Sequence, residues 1–220
     1  MRDTIFRAMV VSKINEKDFI RQITERSINE LPEGEVLVRV RFSSLNYKDG
    51  LSCTGNPGVT RNYPHTPGID ASGEVAESSD SRFKVGDSVI VTSYDLGMNT
   101  SGGFGQYIRV PADWVVPLPD GLSVKEAMIY GTAGYTAALS VHALLKHGVT
   151  PDQGEVVVTG STGGVGSVSV ALLSNLGYNV VAATGKTEET EFLRRLGAEE
   201  IIHRDEVNDE SSKSLLRERW

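Results

Sequence analysis

The chain has a single cysteine, Cys53, among its 220 residues. One thiol closes no internal disulfide and builds no cysteine metal cluster. Long apolar runs are also missing: none approaches the ~18 residues that a bilayer span needs. The start, Met1-Arg2-Asp3-Thr4, lacks the apolar core of a signal peptide. No basic block stands out, and a net charge of −7 with a pI near 5.2 disfavours nonspecific nucleic-acid binding. These absences together predict a soluble cytoplasmic protein with neither a membrane nor a nucleic acid as partner.

What is present suits a globular α/β protein: 39% hydrophobic residues and 23 glycines. The most informative stretch runs Val156-Val157-Val158-Thr159-Gly160-Ser161-Thr162-Gly163-Gly164-Val165-Gly166. A β-branched run too short for a helix enters a turn carrying four glycines, and an apolar helical stretch, Ser167 to Leu176, follows. Strand, glycine turn and helix in that order form the context of a dinucleotide site. Glycine lets the backbone approach a pyrophosphate, whose charge then rests on the free N–H groups that open the helix. Ser161, Thr162, Gly163, Gly164, Val165 and Gly166 are the candidate cofactor residues of this turn.

Before residue 120 the pattern is one of short strands: Arg7–Ser12, Phe19–Glu25, Glu35–Ser43, Gly73–Ala76, Ser88–Thr92 and Gln106–Val110. Strands at such spacing predict a barrel-like β domain. After Pro117-Leu118-Pro119-Asp120-Gly121 the character changes. Ser123 and Glu126 have capping-box spacing, and Thr132 to Lys146 supports a long helix. Strand 155–159, helix 165–176, strand 179–183, helix 187–196 and strand 199–202 then alternate, which means parallel βαβ units. The expected organisation is a β domain over 1–120 and a dinucleotide-binding domain over 121–220. Only the first βαβαβ half of a doubly wound fold is visible, followed by a charged tail, Ser211–Trp220, that reads as helical. Such a half sheet exposes the edge of its first strand and predicts instability or reliance on a partner.

The residue at the end of the second βαβ strand selects the cofactor. An NAD site places a carboxylate there on the ribose hydroxyl. Here the strand runs into Thr184-Gly185-Lys186, a hydroxyl and an ammonium. Lys186 suits a 2′-phosphate, the plainer alternative being a solvated lysine at a helix start. Glu188 and Glu189 only favour the helix N-terminus. NADPH is therefore expected over NADH. His65, His142, His147 and His203 share no ligand spacing and read as surface or satisfied core histidines, so no metal is expected.

Asn46-Tyr47-Lys48-Asp49-Gly50, Pro67-Gly68-Ile69-Asp70, Phe83-Lys84-Val85-Gly86-Asp87, Tyr130-Gly131-Thr132-Ala133-Gly134 and the Gly160–Gly166 turn follow one another in an order that resembles the medium-chain dehydrogenase/reductase superfamily. Within it the chain is similar to the zinc-free quinone-oxidoreductase branch, and most of all to bacterial NADPH-dependent acryloyl-CoA reductases. The resemblance implies a GroES-like β domain followed by a Rossmann domain, and a homodimer in the full-length family. It also implies cofactor contacts at Tyr47, Thr132 and Arg204. Zinc-dependent relatives need a thiolate and an imidazole, yet Asn46-Tyr47-Lys48-Asp49 stands near the usual cysteine and Ile69 where histidine is found.

Without zinc, alcohol oxidation loses its Lewis acid, whereas reduction of an activated C=C bond stays feasible. Asn46, Tyr47 and Asp70 are the catalytic candidates. Tyr47 reads as a proton donor or a cofactor-orienting group, with capping of a core as the plain alternative. Asp70 either buttresses the site or makes a structural hydrogen bond. Lys48 and Asp49 read as a pair on a helix start, Thr132 as a nicotinamide-facing residue or a helix cap, and Cys53 as a reduced passenger. The expected reaction is NADPH-dependent reduction of an α,β-unsaturated acyl-CoA such as acryloyl-CoA. Quinone reduction is the alternative in the same class. A noncatalytic NADPH binder, of the kind zeta-crystallins exemplify, or an inert fragment is the alternative outside it.

Overall fold

Alternation of apolar and polar residues builds the first strands. The computed structural model describes residues 4–207. In β1 (Ile5–Lys13), Phe6, Ala8 and Val10 are buried while Ile5 and Arg7 face out, the period of two of a half-buried strand. β1 pairs antiparallel with β2 (Phe19–Ser27) in a two-stranded ribbon. β3 (Val36–Ser43) leads into α1 (Tyr47–Cys53), and β4 (Asp70–Ser78), β5 (Ser88–Thr92), β6 (Tyr107–Val110) and β7 (Val115–Pro117) follow. Their antiparallel sheet has the order β6-β3-β4-β5-β7. Val36, Val38, Val75, Val89, Val91 and Ile108 fill its core at 1% exposure or less. The barrel-like β domain thus takes the form of a five-stranded sheet beside a ribbon, with β7 and α1 added to the strands expected.

α2 (Val124–Lys146) begins with the Ser123 box as read: the Ser123 N–H and hydroxyl donate to the Glu126 carboxylate, and the Glu126 N–H donates to Ser123 Oγ. Its helical dihedrals fail at Gly131, with φ 51° and ψ −155°. The chain divides into two compact units between Thr132 and Ala133. The boundary expected near residue 120 thereby falls inside the first unit, because the opening of α2 is bonded to the β strands. Ser72 Oγ donates to the Val124 carbonyl, and Thr132 is held by Asp70.

In the second unit β8 (Glu155–Thr159), α3 (Gly164–Asn175), β9 (Asn179–Thr184), α4 (Thr190–Arg195) and β10 (Glu200–His203) alternate as expected. β9 pairs parallel with both β8 and β10, giving the order β10-β9-β8. β9 is buried from Val180 to Thr184 because both of its faces pack: Val180 and Ala182 on Leu173 and Leu193, Val181 and Ala183 on Ile202. Among the described residues β8 pairs with one strand only. A cavity of about 450 Å³ lies along it, lined in part by Val141, Leu144, Val156 and Leu173. The helix expected over Ser211–Trp220 lies outside the described residues. Within them no helix is long and apolar enough to cross a membrane.

Candidate functional site

In the first unit the candidate residues converge on one buried carboxylate. Asp70 opens β4 at 0% exposure. Its Oδ2 accepts from Asn46 Nδ2 at 2.9 Å, from the Thr132 N–H at 2.9 Å and from Ser44 Oγ. Its Oδ1 accepts from Thr132 Oγ1 at 2.6 Å and from Thr92 Oγ1. Burial alone would raise this carboxyl, but the donors of Ser44, Thr132 and Thr92 outweigh it and hold the group below its ordinary value. Asp70 is therefore an anion at neutral pH.

That charge settles how Asn46 is turned. An ionised carboxylate only accepts, so the atom of Asn46 facing it must be the amide nitrogen. Asn46 Nδ2 also donates to Ser44 Oγ at 2.9 Å, which engages both of its protons. Asn46 is thus oriented by Asp70 and Ser44 and has no N–H left over to donate.

The break in α2 makes this arrangement possible. A Cβ at Gly131 would lie 2.7 Å from Asp70 Oδ2 and 3.0 Å from Ser44 Oγ, in a backbone region that L-residues rarely adopt. Gly131 lets the chain pass close over the carboxylate and turns the Thr132 N–H onto it. Thr132 begins the helical stretch as read, with its first N–H capped by Asp70. Ser44 and Thr92 were not among the candidates: each is a plain strand-end hydroxyl whose role appears only when β3 and β5 bracket β4.

Around this centre one pairing changes, and the places of Tyr47 and Cys53 are fixed. Asp49 does not pair with Lys48. Its carboxylate is 2% exposed and accepts from the Asn46 and Ile69 N–H groups, 2.8 and 2.9 Å away, and burial pushes it above its ordinary value. Tyr47 caps no core, standing 86% exposed on the first turn of α1. Cys53 is partly buried, and that burial pushes its thiol up, away from a reactive thiolate. His65 is 3% exposed with Nε2 2.9 Å from the Gly97 carbonyl, and burial lowers its pKa. Among the described residues no group of three or more His, Cys, Asp or Glu side chains is arranged to hold a metal.

The second unit places the glycine turn between β8 and α3. Gly166 packs where a Cβ would lie 2.3 Å from the Gly160 carbonyl oxygen, so the helix start sits directly against the turn. Gly163 precedes α3, whose first N–H groups lack intrahelical partners as at any helix start. Two candidate hydroxyls face inward. Ser161 is fully buried with Oγ donating to the Ala183 carbonyl at 3.0 Å. Thr184 is 3% exposed, its Oγ1 accepting from the Lys186 N–H at 3.0 Å and lying 3.4 Å from Thr162 Oγ1. Gly163, Gly164, Val165, Gly185, Lys186 and Arg204 remain exposed.

β10 brings the last of these to the others. His203 is in register with Thr184, and a Cβ at Gly185 would lie 3.2 Å from Arg204 Cδ. The Arg204 side chain therefore lies against Gly185, at the carboxyl ends of the strands where open α/β sheets bind ligands. Glu188 and Glu189 are in the turn before α4. No carboxylate occupies the end of β9 itself.

Residues 32–120 match the family model described as the alcohol dehydrogenase GroES-like domain. The acrylyl-CoA reductase AcuI of Ruegeria pomeroyi is 48% identical over 217 residues, which cover 98% of this chain and 66% of that protein. The crystal structure of Bacillus subtilis yhfP with NAD bound superposes with a TM-score of 0.93 at 48% identity, covering 99% of this chain and 66% of that one. The yhdH oxidoreductase from Salmonella enterica in complex with NADP gives 0.90 at 45% identity, covering 93% and 63%. The chain thus spans slightly less than two thirds of the length of these relatives.

Proposed function

The chain belongs to the medium-chain dehydrogenase/reductase family, a GroES-like unit followed by a Rossmann-type unit, and from that premise we propose an NADPH-dependent reductase of α,β-unsaturated acyl-CoA thioesters. The observation that carries this reading is Arg204 lying against Gly185, the neighbour of Lys186 in the chain, with no carboxylate at the end of β9, although Asp205 pairs with Arg204 at 3.5 Å. Two cations suit the 2′-phosphate of NADPH, and a carboxylate there would repel it. The backbone of Gly163, Gly164, Val165 and Gly166 at the start of α3 would hold the pyrophosphate.

When bound, NADPH supplies the hydride. The chain's own residues bind, orient and hold protons. Tyr47 presents an exposed phenol on the loop that Asp70 steadies through Asn46, and it is assigned to cofactor contact or proton delivery. Asn46 and Asp70 are positioning residues, since the amide protons of Asn46 are spent on Asp70 and Ser44 and both oxygens of Asp70 are covered by donors. A carboxylate saturated in this way is a poor metal ligand, which favours a zinc-independent reaction.

The test is NADPH oxidation followed at 340 nm with acryloyl-CoA against a benzoquinone. Faster turnover of the thioester at low concentration is expected. Turnover of the quinone alone moves the assignment to quinone reduction, and NADPH binding with no oxidation of either compound reduces it to a nucleotide binder.

A further inference from the structure

Most arginines among the described residues are engaged. Among the described residues Arg26, Arg82, Arg109, Arg195 and Arg204 form ion pairs, and Arg21, Arg61 and Arg194 donate to backbone carbonyls. Three guanidinium groups have no such partner: those of Arg7, Arg39 and Arg41. In a chain with 29 acidic residues and a net charge of −7, unpaired arginines gathered in one groove call for an anion.

Two of the three share one groove. Arg39 and Arg41 lie two residues apart on β3, where a register irregularity between Val40 and Phe42 interrupts the alternation of sides. Both line a groove of about 520 Å³ together with Thr4, Phe42, Gln106 and Tyr107. Gln106 joins the groove to the main chain of β1: its Oε1 accepts from the Arg7 backbone N–H at 2.8 Å, and its backbone carbonyl accepts from the Val40 N–H at 2.9 Å. The acids opposite are Glu25, in register with Arg7, and Glu74, in register with Arg39, and neither forms an ion pair there. Phe42 is 40% exposed and offers an aromatic face beside the cations.

We propose that this groove holds the phosphate-bearing nucleotide end of a coenzyme A thioester. The inference rests on the acyl-CoA reading above and names a subsite for it. Guanidinium groups grip phosphates through paired N–H donors, and a purine stacks on an aromatic ring. Arg41 is five residues from Asn46, at most about 18 Å of extended chain. That span suits a pantetheine arm running from the groove to the loop bearing Asn46 and Tyr47.

Calorimetric titration of coenzyme A, with phosphate-free pantetheine as the second probe, tests the assignment. The chain would be compared with the Arg39→Ala/Arg41→Ala variant, with Arg39→Lys/Arg41→Lys, and with Lys186→Ala/Arg204→Ala as control. Coenzyme A is expected to bind at least tenfold more weakly to the double alanine variant, with partial recovery in the double lysine variant. Its affinity for the control and the affinity of pantetheine for every form are expected to stay level. Equal coenzyme A affinity in chain and double alanine variant overturns the proposal, as does a loss confined to the control or no binding to the unaltered chain. NADPH oxidation with acryloyl-pantetheine, which lacks the phosphates, reads the catalytic assignment separately.

Discussion

The Asp70 centre of the first unit and the glycine turn of the second solve opposite problems. Around Asp70 five donors from Ser44, Asn46, Thr92 and Thr132 meet one carboxylate, so the charge is balanced by the protein itself. After β8 and at the end of β9 the hydroxyls of Ser161 and Thr184 are turned inward, while Lys186 and Arg204 are exposed, Arg204 paired with Asp205. One site is complete without a ligand, and the other is the one proposed above to be completed by a nucleotide. A mutation in the first should therefore be felt in stability, and one in the second chiefly in binding.

The largest break in that contrast is expected from Asp70→Ala. Five donors lose their acceptor in a buried place, and a loss of about 3–5 kcal/mol follows, read as a lower urea midpoint. A midpoint within experimental error of the unaltered chain would show that the centre is dispensable. Gly131→Ala should cost at least about 1–3 kcal/mol, because an L-residue is strained at its φ of 51° and its Cβ would lie 2.7 Å from Asp70 Oδ2, again read as a lower urea midpoint. Lys186→Ala should leave the urea midpoint in place and weaken NADPH by roughly tenfold while NADH holds steady, since one charged hydrogen bond is worth about 1.5 kcal/mol. Unchanged affinity for both nucleotides would remove Lys186 from the phosphate site.

The smallest effect is one of pH. His65 is buried with its pKa lowered, so the folded chain binds fewer protons there than the unfolded one. The stability this neutral form provides is present above the unfolded value of ~6.5 and is lost as pH falls toward the folded value. Asp70, lowered in its turn, gives stability that persists down to ~4 and is lost only below it. Thermal unfolding from pH 7.5 to 5 should therefore show a shallow decline that is absent in His65→Gln. An equal decline in both would assign it to other groups.

The second unit was almost wholly legible in the sequence. Its strands are continuous β-branched runs and its turn is punctuated by glycine, both local signals, and β8, α3 and β9 fall within a residue of the ranges read. Less of the first unit could be read. β7 is three residues long and contains Pro117, which argues against a strand until β5 is there to pair with it. α1 contains Gly50 and is held by Asp49 bonding to Asn46 and Ile69, the latter a contact 20 residues away. Asn46, Asp70 and Thr132 were singled out one at a time. That they share one carboxylate depends on the register of β3, β4 and β5, which no local pattern carries. The inward turn of Ser161 and Thr184 likewise needs the parallel pairing of β8 and β9.

The Asp70 centre also bears on the order of folding events. Its hydrogen bonds join residues 22 to 62 positions apart, so their partners meet only after long loops have closed. Contacts of that span are expected to form after the transition state, so that Asp70→Ala quickens unfolding and leaves the folding rate almost untouched, which the two arms of a chevron would show. The carboxylate is in that sense less a nucleus than a bolt, drawn once the strands are in place, and it lengthens the lifetime of the folded chain more than it hastens its birth.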